Sequence, residues 1–415
     1  MKCTKEEDCS PVSSSRTIMD EVVRAGAQKM LMAALEAEVE EYIEAHQHIR
    51  DGEGKQAVVR NGYMPHRDIL TGVGALGIRQ PRIDDRGMRG CMGGGVYTSA
   101  ILPRYLRRIA SLDNLIPVLY LKGISTGDFP QALSSILGDK AKGLSASTVV
   151  RLKEQWEQEY AGWARRDLSA KKYVYFWADG IYFNVRLDGE RSCVLVIMGA
   201  DEDGNKELIA ISDGIRESTL SWKDVLLDLK RRGLTIDPKL AIGDGALGFW
   251  GALEEVYTTT RHQRCWVHKT ANILDKLPKS IQARAKSLIH EMYMAETKED
   301  ALKAYDQFIA VYGDKYPKAV ECLVKDKAKL FTFYDFPAVQ WIHIRTTNPI
   351  ESTFATVRHR TRRTKGCGSR MATLTMAFKL ILEAQKTWKK LKGNNLLIHV
   401  INNVIFVDGI MQEAA

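Results

Sequence analysis

The chain predicts an α/β protein, in which a mixed-sheet domain is interrupted by helices and preceded by a mainly helical region. Three observations carry this. Apolar runs of strand length at 173–178, 181–187, 193–200 and 207–212 follow one another, with turn signals such as Leu187-Asp188-Gly189 and Asp203-Gly204 between them. A helix over 218–232, a strand over 239–243 and a helix over 247–256 come next. Helical periodicity returns over 281–294, 298–312 and 319–330, inside a span with charged faces that runs from Lys269 to Ile342.

Taken in order, residues 1–16 are polar and Ser-rich and read as a disordered tail. Residues 17–58 form an N-terminal helical segment. Ile18, Val22, Val23, Met30, Leu31, Leu35, Val39 and Ile43 recur at helical spacing, and Glu36, Glu38, Glu40, Glu41 and Glu44 make its later part acidic. Its role is packing or self-association. Residues 59–103 are dense in Gly and Arg with short alternating segments, which predicts small strands and tight turns. Residues 104–165 turn helical, with helices expected at 115–121, 128–137 and 145–160. The last carries Arg151 and Lys153, and either a helix-turn-helix that binds DNA or an ordinary bundle would look this way.

Residues 171–268 then hold the first part of the sheet domain, 269–344 a helical insertion, and 345–400 a second part with a basic helix. These four strands in an antiparallel meander, then helix, strand and helix, match the ribonuclease H-like order. It sets the first strand beside the strand that follows the first helix, through a right-handed crossover.

The composition is that of an ordinary globular chain, 45% hydrophobic and 27% charged over 415 residues. No stretch approaches the length of an apolar membrane span, and the N-terminus lacks the apolar core of a signal peptide. Seven scattered cysteines, an odd number, fit a reducing compartment better than a disulfide framework. A cytoplasmic, nucleoid-associated protein is expected. The formal net charge of +9 is concentrated: Arg345 to Lys392 holds twelve Lys or Arg against Glu351 and Glu383, so the remainder is close to neutral. Arg60 to Arg108 adds nine Arg, no Lys and three Asp, a pattern suited to forked contacts with phosphate or base edges.

Three carboxylates stand where such a fold could gather them. Asp179 closes the run Tyr173-Val174-Tyr175-Phe176-Trp177-Ala178, Asp244 closes Leu240-Ala241-Ile242-Gly243, and Glu351 lies in the first turn of the helix opened by Asn348-Pro349. Hard divalent cations need oxygen ligands gathered from distant parts of a chain, and a pair of them stabilises both oxygens of an in-line phosphoryl displacement. The bland readings are local: Asp-Gly at 179–180 and 244–245 makes good turns, and Asn348 as cap with Pro349 and Glu351 makes an ordinary helix start. Cys265 and His268 make a poor zinc site, since two ligands cannot complete a tetrahedron and His262 would add only a third. A structural role beside the site is preferred for them, and a core role for Trp266 between them.

These residues together resemble a known family. Arg60-Asn61-Gly62-Tyr63, Asp179-Gly180, Gly243-Asp244-Gly245, Cys265-Trp266-Val267-His268 and Asn348-Pro349-Ile350-Glu351-Ser352 with its following arginines are similar to the Mutator-type transposases of bacterial insertion sequences, over roughly residues 18 to 390. The resemblance implies a ribonuclease H-like catalytic domain whose Asp, Asp, Glu triad is Asp179, Asp244 and Glu351, holding Mg²⁺ with Mn²⁺ as a substitute. It implies double-stranded DNA as partner, both element terminal repeats and target, and strand cleavage followed by strand transfer. Arg358, Arg360, Arg362, Arg363 and Lys365 would contact DNA, and synapsis of two ends calls for a homodimer or higher assembly. A metal nuclease without strand transfer, and a catalytically inactive DNA-binding regulator derived from a transposase, are the competing functions.

Overall fold

The computed structural model describes residues 13–90, 97–122, 124, 128–129, 131–133, 146–184, 191–214, 216–245, 248–363 and 369–412. The chain divides into two compact units, residues 1–149 and 150–415.

In the first unit a single helix, α1 (Ser13–Ala45), takes up the last four residues of the expected tail, while residues 1–12 lie outside the described part. Four short strands follow: β1 (Val59–Tyr63), β2 (Arg67–Thr71), β3 (Gly74–Ile78) and β4 (Pro81–Asp84). β2 and β3 form an antiparallel hairpin, and β1 pairs antiparallel with β4. The two halves of α1 differ. Leu35 is buried against Ile69, Leu76, Ile78 and Leu102, whereas Ile18, Val22 and Met30 remain exposed. The acidic face anticipated from the sequence pins the strands: Glu36 pairs with Arg60 at 2.6 Å, and Glu38 accepts hydrogen bonds from the Ser99 hydroxyl and the Ala100 amide. Helix α2 (Ala110–Leu121) covers the first of the three expected helices. Half of the second, at 128–137, lies outside the described residues.

The third, α3 (Ala146–Ala164), packs in the second unit, where Tyr160 and Trp163 meet Phe378 and Glu159 pairs with Lys379. Three long strands come next: β5 (Tyr173–Asn184), β6 (Arg191–Asp201) and β7 (Lys206–Gly214). They replace the four strands expected. Asp179-Gly180 is no turn, because both residues stay in the ladder, opposite Val196 and Leu195 of β6. Then come α4 (Thr219–Arg231), β8 (Leu240–Gly243), α5 (Phe249–Val256) and β9 (Arg261–Arg264). The sheet order is β7-β6-β5-β8-β9, antiparallel among the first three and parallel from β5 to β9.

Helix α4 shows why these residues fold as they do. Ser218 caps it by accepting from the Ser221 amide, and Trp222, Val225, Leu226 and Leu229 form one buried stripe at helical spacing. That stripe packs with Phe249 and Leu253 of α5 on one face of the sheet, against Phe176 and Ala178. The alternate residues of β5 are buried on the opposite face, where Tyr175 donates to Gln340 Oε1 and the Trp177 indole to the His343 carbonyl. A strand covered on both faces explains the unbroken apolar run that precedes Asp179.

Beyond β9 the chain is helical: α6 (Trp266–Leu274), α7 (Lys279–Met294), α8 (Lys298–Tyr312), α9 (Pro317–Val324), α10 (Lys327–Leu330), α11 (Trp341–Ile344), α12 (Asn348–Arg363), α13 (Arg370–Gln385) and α14 (Leu397–Ile401), closed by the two-residue strands β10 (Phe406–Val407) and β11 (Ile410–Met411). Strand β9 stops at Arg264, and helix α6 starts two residues on at Trp266. Among the described residues no helix is long and apolar enough to cross a membrane.

Candidate active site

The ladder between β5 and β8 decides the placement of the two aspartates. Its last pair is Ala178 with Gly243, so Asp179 and Asp244 occupy the next position on each strand, where β8 has ended and β5 continues on β6 alone. Asp179 is 8% exposed and accepts a short-range bond from the Gly180 amide at 2.8 Å. Burial pushes its carboxyl up to about 7, the negative charges of Glu217 and Glu351 add to the rise, and His268 and the Gly180 amide oppose it.

Asp244 is held from three directions. Its Oδ1 accepts from the Gly245 amide at 2.6 Å and from Arg264 Nη1 at 3.2 Å, while its carbonyl accepts from the Trp250 indole. Arg264 is itself buried, and its Nε donates to Asp326 Oδ2 at 3.0 Å, the same oxygen that takes Lys269 Nζ at 2.5 Å. These two cations hold the Asp326 carboxyl below the usual carboxylate range despite its burial. Gly245 is required for this packing: a Cβ there would lie 1.8 Å from the Arg264 guanidinium carbon.

Glu351 comes from α12, whose buried face is Ile350, Phe354 and Val357. Asn348, expected as the cap, is the first helical residue. Thr347 stands before it, and its carbonyl accepts the Ile350 and Glu351 amides. The Thr347 hydroxyl lies 2.5 Å from Glu351 Oε1, 3.1 Å from Cys265 Sγ and 3.4 Å from His268 Nδ1, and the Thr347 amide also donates to Sγ at 3.2 Å. One buried residue thus ties the Cys-x-x-His segment to the glutamate. Cys265 precedes the first turn of α6 and His268 lies within it, 3.8 Å from Glu351 Oε1. A hydrogen bond with Cys265 raises His268 to about 9 against its burial, helped by the charges of Cys265, Asp244 and Glu351. Trp266 is fully buried, its indole donating to the Leu330 carbonyl.

The structure therefore brings Asp179, Asp244, Glu351, Cys265 and His268 into one neighbourhood, and treats the basic residues of α12 differently from one another. Arg358 is exposed beside the Phe354 ring. Arg360, expected on the same outer face, is 2% exposed. The reason is helical phase: after Val357 the buried stripe continues three residues on at Arg360, not four on at Thr361. The side chains of Arg362 and Arg363, and all of Lys365, lie outside the described residues.

Sequence reasoning missed Thr347, the Arg264–Asp326–Lys269 network and Glu217. Glu217 directly precedes the cap of α4, where an acid is an ordinary complement to the helix dipole, so nothing local marked it. Asp179, Asp244 and Glu351 offer carboxylate oxygens, but among the described residues one group alone has its ligand atoms gathered closely enough to hold a cation. Cys265, His268 and Glu351 have ligand atoms within 4.8 Å of one another, but there the imidazole is held protonated and the sulfur is engaged by Thr347.

A family model described as "Transposase, Mutator family" matches residues 4–391, a span that takes in every residue of this site. The chain belongs to the Mutator family of transposases. Among its Mutator-family relatives, it is 52% identical over 302 residues to the transposase for insertion sequence element IS6120 of Mycolicibacterium smegmatis, covering 73% of this chain and 93% of that one. It is 51% identical over 287 residues to the transposase for element IST2 of Acidithiobacillus ferrooxidans, 68% of this chain and 95% of that one. A more distant relative, 29% identical over 349 residues, is the transposase for IS256 in transposon Tn4001 of Staphylococcus aureus, with 83% and 85% covered.

Proposed function

We propose that the protein is an active transposase that binds the double-stranded ends of an insertion element, cuts them and joins them to target DNA at a ribonuclease H-like site formed by Asp179, Asp244 and Glu351. The observation that carries this reading is the strand register, which sets Asp179 and Asp244 at neighbouring positions just past the last β5–β8 pair, with Glu351 close enough to raise the Asp179 carboxyl. These oxygens would hold a divalent cation, Mg²⁺ or Mn²⁺, which would stabilise the attacking and leaving oxygens.

The remaining residues hold that arrangement. Arg264 fixes Asp244, Thr347 fixes Glu351, and the positive charge of His268 lies among the acids and moderates their repulsion. Attack by water on a phosphodiester makes one P–O bond, breaks another and leaves a 3′ hydroxyl. Attack by that hydroxyl on target DNA repeats the same exchange, so one site serves both steps. Arg358, with Arg362, Arg363 and Lys365 after it, is assigned to phosphate contact; Arg360 is withdrawn from that set because it is buried. Bringing two ends together requires two binding units, hence a homodimer or higher assembly on DNA.

The test is an end-cleavage and strand-transfer assay with Mg²⁺ on DNA carrying the element termini, comparing wild type with Asp179→Asn, Asp244→Asn and Glu351→Gln. Loss of nicking and joining in all three with DNA binding retained is expected. Full activity in any one variant removes that carboxylate from the site, and binding by wild type with no metal-dependent product would make the chain a DNA-binding regulator.

A further inference from the structure

Cys265 and His268 alone fall two ligands short of a tetrahedral metal site. The start of α12 supplies both missing donors. Glu351 brings a carboxylate, and the ligand atoms of Cys265, His268 and Glu351 all lie within 4.8 Å of one another. The Thr347 hydroxyl oxygen faces all three, at 3.1 Å from Sγ, 3.4 Å from His268 Nδ1 and 2.5 Å from Glu351 Oε1, and Nδ1 lies 3.8 Å from Oε1. Zinc bonds of about 2.3 Å to sulfur and about 2.0 Å to nitrogen or oxygen set tetrahedral ligand atoms about 3.3 to 3.6 Å apart. The four donor atoms stand close to such corners before any ion arrives.

Backbone fixes the donors on both sides. The Cys265 amide donates to the Gly243 carbonyl at the end of β8, His268 lies in the first turn of α6, and the Thr347 carbonyl accepts the Ile350 and Glu351 amides. The Thr347 amide donates to Sγ at 3.2 Å, an outer hydrogen bond that supports a metal-bound thiolate and leaves it lone pairs for the ion. Cys265 and Thr347 are fully buried, whereas the side chains of His268 and Glu351 are 30% and 28% exposed. The cluster is therefore closed on its sulfur side and open to solvent on its imidazole and carboxylate side, which gives an ion a way in. With none bound, a proton on the imidazole supplies the positive charge there, favoured by Cys265, Asp244 and Glu351. A metal ion would take over that part, the thiol proton and one imidazole proton leaving for solvent as the sulfur–metal and nitrogen–metal bonds form.

We propose that Cys265, His268 and Glu351, with the Thr347 hydroxyl or a water as fourth donor, form an inhibitory site for a thiophilic divalent cation such as Zn²⁺. Sulfur and imidazole favour Zn²⁺ over Mg²⁺, which takes oxygen ligands. Glu351 cannot serve two ions in two places, so filling this site withdraws it from Asp179 and Asp244. The binding stands on the geometry of the cluster; the inhibition rests on the proposed catalytic role of Glu351.

The experiment titrates the reduced full chain with Co²⁺, whose thiolate complexes absorb in the near ultraviolet, with thermal unfolding as the check on folding. Wild type is compared with Cys265→Ser, His268→Gln, Glu351→Gln and a control, Cys322→Ser, at a partly exposed cysteine outside the cluster. Expected are thiolate absorption in wild type and Cys322→Ser that Zn²⁺ bleaches, and its loss in Cys265→Ser. His268→Gln and Glu351→Gln, which keep the fold should Cys265→Ser not, should raise the Kd by at least the roughly tenfold that loss of even a supporting hydrogen bond gives. In cleavage assays with excess Mg²⁺, wild type should fall silent at the Zn²⁺ concentration that displaces cobalt and recover with a chelator, while His268→Gln keeps whatever cleavage it shows without Zn²⁺. No thiolate absorption in folded wild type, or wild-type titrations in folded His268→Gln and Glu351→Gln, overturns the site. Cobalt binding as expected with wild-type cleavage indifferent to Zn²⁺ overturns the inhibition. Cobalt binding as expected with no Mg²⁺-dependent cleavage by wild type overturns the proposed function instead and leaves the metal site standing.

Discussion

Replacing Thr347 by Val removes one hydroxyl and keeps volume and backbone. In the folded protein that hydroxyl lies 2.5 Å from Glu351 Oε1, while the Thr347 amide holds Cys265 Sγ independently at 3.2 Å. The hydroxyl has one proton, and the nearer, charged carboxylate is the acceptor that gains most from it; Cys265 Sγ and His268 Nδ1, at 3.1 and 3.4 Å, then face its lone pairs. A hydrogen bond to a charged group is worth about 1.5–3 kcal/mol. If that energy serves to hold Glu351 in its reacting position, the loss appears in the rate, at about 1.4 kcal/mol per factor of ten, which predicts a fall of roughly ten- to a hundredfold. The assay is single-turnover cleavage of a terminal-repeat substrate under saturating Mg²⁺, with DNA affinity measured in parallel. Thr347→Val should lower the rate with unchanged affinity, and Thr347→Ser, which keeps the hydroxyl, should restore most of it. A rate within about twofold of wild type for Thr347→Val would refute the idea that this contact orients Glu351, because even the lower figure gives about tenfold.

Two further outcomes follow from the same geometry. The Asp179 carboxyl is raised from its ordinary range to about 7, so its contribution to stability is fully present below pH 4 and is lost as pH rises through 7. Without divalent cation, Asp179→Asn should therefore be more stable than wild type at pH 8, by at most about 4 kcal/mol, and so melt at a higher temperature, and the gap should close near pH 4; equal melting at both pH values would show that burial does not strain this acid. Arg358 and Arg360 should separate cleanly: Arg358→Ala weakens DNA binding and lowers the salt dependence by about one phosphate contact, while Arg360→Ala lowers the melting temperature instead, and the reverse pattern in salt titrations and melting curves would show that α12 is rotated from its described phase.

Much of the site was legible because its pieces are locally coded. The apolar runs before Asp179 and Asp244, the Ser218 cap with its 222–225–226–229 stripe, and the Asn348-Pro349 start of α12 all follow from spacing and capping chemistry over a few residues. The same local logic misread Asp179-Gly180 as a turn, since that dipeptide favours turns when nothing opposes it; the ladder with Val196 and Leu195 does oppose it and keeps β5 straight. It also put Arg360 with Arg358 among the DNA contacts, because three- and four-residue steps are equally helical until a neighbouring element chooses between them.

What the sequence by itself determined, then, is the inventory: most of the helices and strands, the family to which the chain belongs, and three acids each placed at a locally marked position. What only the tertiary structure decided is how residues far apart in the chain meet. Arg264 reaches Asp326 across the helical insertion, Thr347 joins Cys265 and His268 to Glu351, and Glu217 fills the space left by Gly180. No periodicity records such meetings, because they depend on strand order and on the absence of a side chain at particular glycines, and both take effect only once the sheet has closed around them.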